Sequence, residues 1–210
     1  GEIAALGRKS CFALLDIAEV AAHEAALDQV ERTLGPVDAL VNNAGIAVRP
    51  LTDIMEIGIE AFDRNMDVNL RGTFFLTQQV GKRMLARESS NYRSITFITS
   101  IAAGMVSTTR SPYCISKCGL SMAAQLFALR LGEAGIAVHE IRPGFIRTDM
   151  SAELPSAKIE SYMDSGRVPF RRWGSPEDIG QVAASLASGA LPYVSGQPIF
   201  VDGGFHIPAS

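Results

Sequence analysis

Three side chains in the middle of this chain have the types and spacing for acid–base chemistry on a carbonyl or carbinol oxygen. Ser100 ends an apolar run, Ser94-Ile95-Thr96-Phe97-Ile98-Thr99-Ser100; Tyr113 follows thirteen residues later and Lys117 four beyond that. A free tyrosine titrates at about 10, too high for acid–base work near neutrality, and a neighbouring ammonium favours the phenolate. A serine hydroxyl holds the reacting oxygen in place. Taken alone, Y-x-x-x-K is a weak signal, because the pattern occurs by chance in many helices. Its weight comes from the segments around it.

Those segments predict the elements that position the trio. The run before Ser100 alternates β-branched and aromatic residues and reads as a buried strand. Ser111-Pro112 reads as a helix start, serine as cap and proline in the first turn. Leu120 to Leu129 continues as a strong helix former, so Tyr113 and Lys117 share one helical face. Ser10 to Ile17 reads as a strand ending in the Asp16 carboxylate, Ala18 to Leu34 as a helix stopping at Gly35-Pro36, and Val37 to Val41 as the next strand. The latter runs into Asn42-Asn43-Ala44-Gly45, small residues that let backbone approach a ligand or simply make a turn. Ile59 to Arg87 reads as one long helix. In it Gly72 signals close packing and Asn69 is either a solvated polar residue or one bonded to kinked backbone, where it could hold a water. Ile136 to Ile141 is a strand leading into a rigid Pro143-Gly144 turn. Ser151 to Arg171 is polar and mixed and is expected to be a loop-like lid over a substrate. Ser175-Pro176-Glu177-Asp178 opens another helix, and Gly196 to Val201 is the last strand before Asp202-Gly203-Gly204. Strands alternating with helices predict an α/β fold, a doubly wound parallel sheet with helices on both faces. Asp16, Asn42, Ser100 and Pro143 all fall at strand ends, where such sheets bind ligands.

Composition narrows the classes. The 210 residues predict one domain; 47% apolar content and a net charge of −3 fit an ordinary globular protein. Scattered Lys and Arg give no footprint for nucleic acid, no apolar run is long enough for a membrane span, and no secretory signal opens the chain. Three cysteines (Cys11, Cys114, Cys118) and three dispersed histidines predict free thiols in a reducing cytoplasm and no metal centre. Apolar residues on more than one side of Asp67–Met84 and Tyr113–Leu131 predict a partner subunit.

In combination these motifs resemble the short-chain dehydrogenase/reductase family along essentially all of the chain. They are Asn42-Asn43-Ala44-Gly45, Asn69, Ser100 with Tyr113 and Lys117, Pro143-Gly144 with Thr148, and Val201-Asp202-Gly203-Gly204. Within the family the chain is most similar to 3-oxoacyl-(acyl carrier protein) reductase-like members. The resemblance implies a Rossmann-like fold and NAD or NADP as cofactor. It makes Tyr113 the acid that protonates the carbonyl oxygen and gives Lys117 the lowering of that phenol's pKa and the nicotinamide ribose. Ser100 would hold the substrate, and Asn69 a water linking Lys117 to solvent. Asp16 and Ile17 would meet the adenine side, Asn43, Ala44 and Gly45 the adenosine ribose, and Pro143, Gly144, Ile146 and Thr148 the nicotinamide. It implies a homotetramer or homodimer, a carbonyl or acyl-thioester substrate, and an acyl carrier protein as possible partner. Arg142, Arg147, Arg171 and Arg172 are candidates for a phosphopantetheine, though paired or solvated arginines are the commoner case.

The resemblance also implies a missing part. The family opens with a strand, a G-x-x-x-G-x-G turn, a helix and a second strand, about 30 residues that carry the pyrophosphate site. Nothing of this precedes Gly1-Glu2-Ile3, so these residues are expected to belong to a longer native chain. The strands ending at Asp16 and Asn42 are expected to lack the neighbours that the family places between them. Two alternatives stay open: a non-catalytic family member serving as a subunit or interaction module, and an enzyme acting on a sugar, polyol or other secondary alcohol.

Overall fold

Each strand reaches the sheet from a helix that lies on it, which forces all of them to run the same way. The structure, a computed structural model, describes residues 2–152 and 156–208. After α1 (Glu2–Ala5) come α2 (His23–Leu34), β1 (Ala39–Asn42), α3 (Ile59–Asn65), a π-helical segment (Met66–Gly72) and α4 (Thr73–Leu85). Then follow β2 (Arg93–Ile98), α5 (Ser111–Leu131), β3 (Ile136–Pro143), α6 (Asp149–Ala152), α7 (Ser156–Asp164), α8 (Pro176–Ala187) and β4 (Pro198–Val201). The sheet order is β1-β2-β3-β4, parallel throughout, with Leu40 opposite Ile95, Ile95 opposite Val138, and Ile141 opposite Ile199. All four carboxyl ends therefore open onto one edge. Under one face lies the main core: Leu27 from α2, Val80 and Met84 from α4, Ile95 and Phe97 from β2, Leu120, Ala124 and Leu131 from α5, Ile136 and Val138 from β3. Each such side chain contributes about 1.5–3 kcal/mol by leaving water. α8 packs on β1, β2 and β3 outside that cluster. Among the described residues no helix is long and apolar enough to cross a membrane.

Four expectations are corrected. Residues 10–17 form no strand; Phe12 and Leu14 stand 78% and 88% exposed. A strand exists only as part of a hydrogen-bonded ladder, and among the described residues none lies beside this segment. It is tethered instead by the imidazole of His23 to the Ile17 carbonyl (2.8 Å) and by Gln29 to the Phe12 carbonyl (2.9 Å). β1 pairs with β2 alone, leaving Val41 42% exposed, as expected for a strand short of a neighbour. The long helix from Ile59 is broken into three parts by the π segment. Ser111 lies inside α5, not at its cap; Arg110 is the capping residue and makes no side-chain cap, while Pro112 takes the first turn as expected. The stretch expected to be a loop-like lid is helical in part, carrying the end of α6 and all of α7. Ile159, Tyr162 and Met163 recur at helical spacing in α7 and pack with Ile101, Val168 and Phe205, a stripe masked by the polar residues between them. Residues 153–155 of that lid lie outside the described residues.

The α8 start matches its reading: the Ser175 hydroxyl accepts from the Asp178 N–H (3.4 Å) and the Asp178 carboxylate from the Ser175 N–H (2.8 Å). Gly72 also does what its position implied. A Cβ there would overlap the Ile17 carbonyl oxygen and stand 2.7 Å from its carbon and 3.1 Å from the Asp67 carbonyl. Alanine normally gains about 1 kcal/mol over glycine in a helix. Here the obstacle is backbone, so overpacking dominates: Gly72→Ala is expected to lose about 1–3 kcal/mol in urea denaturation. A variant as stable as the parent would mean that Ile17 does not press on this helix.

Candidate active site

β2 delivers Ser100 to the open edge of the sheet in extended conformation (φ −177°, ψ 159°). Its hydroxyl accepts from the Ala102 N–H at 3.1 Å, capping a short turn, and lies near the Tyr113 phenol, whose pKa it lowers. Tyr113 occupies the first turn of α5 and Lys117 the second. The Lys117 ammonium lies 5.7 Å from the Tyr113 ring centre and donates to the Ile98 carbonyl at 2.9 Å. Strand-end hydroxyl, phenol and ammonium thus come together as their spacing predicted.

Burial sets their acidity. Lys117 is only 4% exposed, and desolvation brings its pKa down to about 8. The Tyr113 ring is partly open to solvent, yet burial around its hydroxyl pushes the phenol up; the Ser100 hydrogen bond and the Arg110 charge pull the other way, and Cys114 adds to the rise. Burial is the largest of these effects; the Lys117 ammonium lies over the ring and is bonded to the Ile98 carbonyl.

Asn69 is fully buried in the π segment and settles between its two readings. Its Oδ1 accepts from the Ile46 N–H (2.7 Å) and its Nδ2 donates back to the Ile46 carbonyl (3.0 Å), a two-bond clamp on the chain leaving β1. Nδ2 also lies 3.2 Å from the Ser116 hydroxyl, which donates to the Tyr113 carbonyl at 2.8 Å. The π turn, of a kind that recurs at functional sites, aims this amide inward. Gly45 completes the wall: a Cβ there would stand 3.3 Å from Asn69 Oδ1 and 3.4 Å from Lys117 Nζ.

The remaining predicted residues line the same edge. Asn43 and Ala44 are exposed beside Gly45. Asp16 is exposed, accepts from the Ala18 N–H (3.0 Å), which holds its carboxyl below the usual range, and is bonded to Arg64 at 3.3 Å. Ile17 abuts Gly72 in the segment that carries Asn69. Pro143 ends β3. Gly144 passes so close to Asp202 that a Cβ would lie 2.6 Å from its Cα, while its N–H bonds to the Val201 carbonyl at 3.0 Å. Ile146 pairs with Gly174, and Thr148 is exposed at the start of α6, its backbone bonded to Ser151. The four arginines do not form a free patch. Arg142 is bonded to Glu140, Arg147 lies 5.3 Å over Trp173, Arg172 holds Asp178 through two bonds, and Arg171 is exposed at φ 50°. Among the described residues no cluster of three or more His, Cys, Asp or Glu could hold a metal ion.

Sequence reasoning missed Ser116, Arg110 and the Glu140–Arg142 pair. A carboxylate and an arginine two apart in an otherwise apolar strand, hence on one face, was the available signal for the last.

The family model described as Enoyl-(Acyl carrier protein) reductase matches residues 2–206. The chain belongs to the short-chain dehydrogenase/reductase family. A 2-dehydro-3-deoxy-D-gluconate 5-dehydrogenase of Pseudoalteromonas atlantica is 34% identical over 97% of this chain and 78% of its own length. The crystal structure of a 3-oxoacyl-[acyl-carrier protein] reductase from Brucella melitensis in complex with NAD superposes with a TM-score of 0.96. It is 45% identical and covers all of this chain, which spans 83% of it. A gluconate 5-dehydrogenase from Burkholderia cenocepacia, in complex with NADP and tartrate, gives 0.90 at 30% identity, with 99% and 80% covered. The fold and the parallel sheet are those of this dehydrogenase/reductase family.

The buried ammonium has a thermodynamic signature. Its folded pKa of about 8 lies below the ordinary lysine value of 10.5, so the unfolded chain binds the extra proton between these limits and stability rises with pH across that window. Lys117→Met removes this contribution. Relative to that variant, the parent is expected to gain about 3 kcal/mol of unfolding free energy from pH 8 to 10.5. Parallel pH profiles for the two proteins would show that Lys117 is not held in a dry site.

Proposed function

We propose that the chain is the catalytic domain of an NAD(P)-dependent reductase that interconverts a carbonyl and a secondary alcohol, with a 3-oxoacyl thioester as the substrate class. The observation that carries this reading is the meeting of the Ser100 hydroxyl and the Tyr113 phenol beside the buried Lys117 ammonium. The residues fit a dinucleotide. Lys117 makes one hydrogen bond among the described residues, which leaves ammonium protons for a ribose hydroxyl, and Gly45 keeps the wall beside it free of a side chain. Asp16, Ile17, Asn43, Ala44 and Gly45 would hold the adenosine side; Tyr113, Lys117, Pro143, Gly144, Ile146 and Thr148 the nicotinamide side. NAD(P)H contributes the hydride, the chemistry native to the cofactor.

The protein contributes the proton and the geometry. Ser100 fixes the carbonyl oxygen, and Tyr113, kept protonated by burial, donates its proton to that oxygen during reduction and takes it back in oxidation. Lys117 supplies positive charge beside the phenolate left behind. Asn69 holds the loop at Gly45 against Lys117. The likeness to the 3-oxoacyl-[acyl-carrier protein] reductase from Brucella melitensis, at 45% identity, supports an oxoacyl thioester over a polyol. One observation favours a second reading: the Arg110 charge reaches the Tyr113 phenol, and a sugar acid would bring a carboxylate to meet it. The paired arginines lend no support to carrier-protein docking.

α5 also turns an apolar stripe outward: Ile115, Met122, Leu126 and Leu129 are 47–83% exposed, while the inner residues Leu120, Ala124 and Leu131 fill the core. We propose that a second copy covers this stripe in a homodimer or homotetramer. In sedimentation, the paired change Leu126→Glu and Leu129→Glu is expected to reduce the assembly to a smaller species; an unchanged mass would place the interface elsewhere.

Activity is tested with NADH and NADPH against short 3-oxoacyl thioesters and sugar acids such as 5-ketogluconate. Turnover of the thioesters is expected, and Tyr113→Phe is expected to reduce it by about a hundredfold or more with an unaltered circular dichroism spectrum. Turnover of the sugar acids alone would transfer the assignment to the second reading. Near-parent turnover in Tyr113→Phe would remove Tyr113 from the role of acid.

A further inference from the structure

Glu140 is fully buried in β3, a place where a carboxylate is rarely found unless it is paired. Three side chains from three elements converge on it. The Thr99 hydroxyl donates to Oε1 at 2.7 Å, the Arg142 Nε to the same oxygen at 2.6 Å, and the Ser121 hydroxyl to Oε2 at 2.9 Å. Arg142 Nη2 donates to the Ser121 oxygen at 2.6 Å, closing a ring. Thr99, Ser121 and Arg142 are themselves almost dry, with the Arg142 side chain 15% exposed.

Each of these partners adjoins a residue of the candidate site. Thr99 immediately precedes Ser100. Ser121 is one helical turn beyond Lys117 on α5. Arg142 immediately precedes Pro143-Gly144, lies 5.4 Å over the Phe200 ring, and reaches to within 3.5 Å of where a Cβ of Gly104 would stand, in the turn after Ser100. The ring therefore ties together the strand end bearing Ser100, the helix bearing Tyr113 and Lys117, and the turn on the nicotinamide side. Stability does not explain it. A buried ion pair is often replaced by well-packed apolar residues without loss, because desolvation cancels the attraction. What such a ring gives is a fixed distance and angle between elements, to which proton transfer is sensitive at the ångström level.

We propose that Glu140, with Arg142, is a positioning pair that sets the Ser100 hydroxyl against the Tyr113 phenol. This rests on the reading of Ser100 and Tyr113 as the proton-transfer pair. Neither Glu140 nor Arg142 takes part in the chemistry.

The test compares the whole protein with Glu140→Met/Arg142→Met, which replaces the pair by apolar side chains of similar length, and with Glu140→Gln, which keeps oxygen and nitrogen at the hub. The double variant is expected to unfold within a few degrees of the parent, to lose about tenfold or more in kcat, and to change its KM for NAD(P)H less than about twofold. Glu140→Gln leaves the Arg142 charge without its carboxylate and is expected to be less stable, but its folded fraction is expected to keep kcat within about threefold of the parent, because the amide oxygen still accepts from Thr99 and Arg142. A double variant with parental kcat, or one whose lost activity tracks its lost folded fraction, overturns the proposal. Should the double variant not fold, Thr99→Val takes its place, with a smaller loss of kcat at unchanged KM expected and none contradicting the proposal.

A second readout needs no turnover. The Tyr113 phenol is titrated by ultraviolet difference absorbance, identified as the component missing from Tyr113→Phe. Moving the Ser100 hydroxyl away from the phenol is expected to shift this titration upward by about half a pH unit or more in the double variant and not in Glu140→Gln. An unmoved titration overturns the positioning role. If the parent turns over no carbonyl substrate, the proposed function fails, and this titration alone decides the role of the pair.

Discussion

The site depends on a lysine ammonium held almost out of water by one carbonyl. Desolvating an ammonium is costly, and the bond from Lys117 to the Ile98 carbonyl offsets only part of that cost, so the group sits near its titration point at about 8. Several features follow from keeping it there. α5 must press against the end of β2, which it does through Leu120 and Ala124. The chain leaving β1 must come close, and Gly45 lets it do so, since a Cβ there would press on Asn69 Oδ1 at 3.3 Å and touch Lys117 Nζ at 3.4 Å. That loop must also be held, and Asn69 does this with two bonds to Ile46.

This arrangement explains why α5 is two-sided in an unusual way. Its inner surface carries Ser116, Lys117 and Ser121 beside Leu120, Ala123 and Ala124, all buried. Buried polar groups are tolerated only when bonded, and each of the three has its partner: Tyr113 and Asn69 for Ser116, Ile98 for Lys117, Glu140 and Arg142 for Ser121. The helix is thus a polar spine along the sheet, with apolar packing on both sides of it. Its outer stripe, Met122 to Leu129, is the part with no role inside the subunit.

What could be read from residue order is what depends on local patterning. Ser100, Tyr113 and Lys117 were legible because one strand and one helix place them, and both are long and strongly patterned. The capping box of α8 was legible for the same reason. The strand at Ser10–Ile17 was misread because its run of apolar residues, Cys11 to Leu15, promises a ladder that no described neighbour provides. The lid was misread because three apolar residues at helical spacing were diluted by polar ones. Asn69 was ambiguous because a π turn leaves no mark in composition.

On the proposed function, chemistry and substrate choice would be carried by different parts of the chain. The proposed proton-transfer groups follow β2 or sit on α5, both anchored in the sheet. The region from α7 to Trp173, in contrast, is held on the body by Phe145 and Phe205, whose rings lie 5.5–6.2 Å from those of Tyr162 and Trp173. Those contacts are non-directional, so side chains there can change without disturbing the hydroxyl, phenol and ammonium. This accounts for one framework that superposes on both an oxoacyl reductase and a gluconate dehydrogenase. Discrimination between such substrates must then arise where the lid meets the fixed groups. Arg110 stands at that boundary: it caps the helix of Tyr113, belongs to the loop after Ser100, and brings a positive charge to the phenol. An acyl thioester would leave this charge to solvent, whereas a substrate with a carboxylate near its carbonyl would meet it directly.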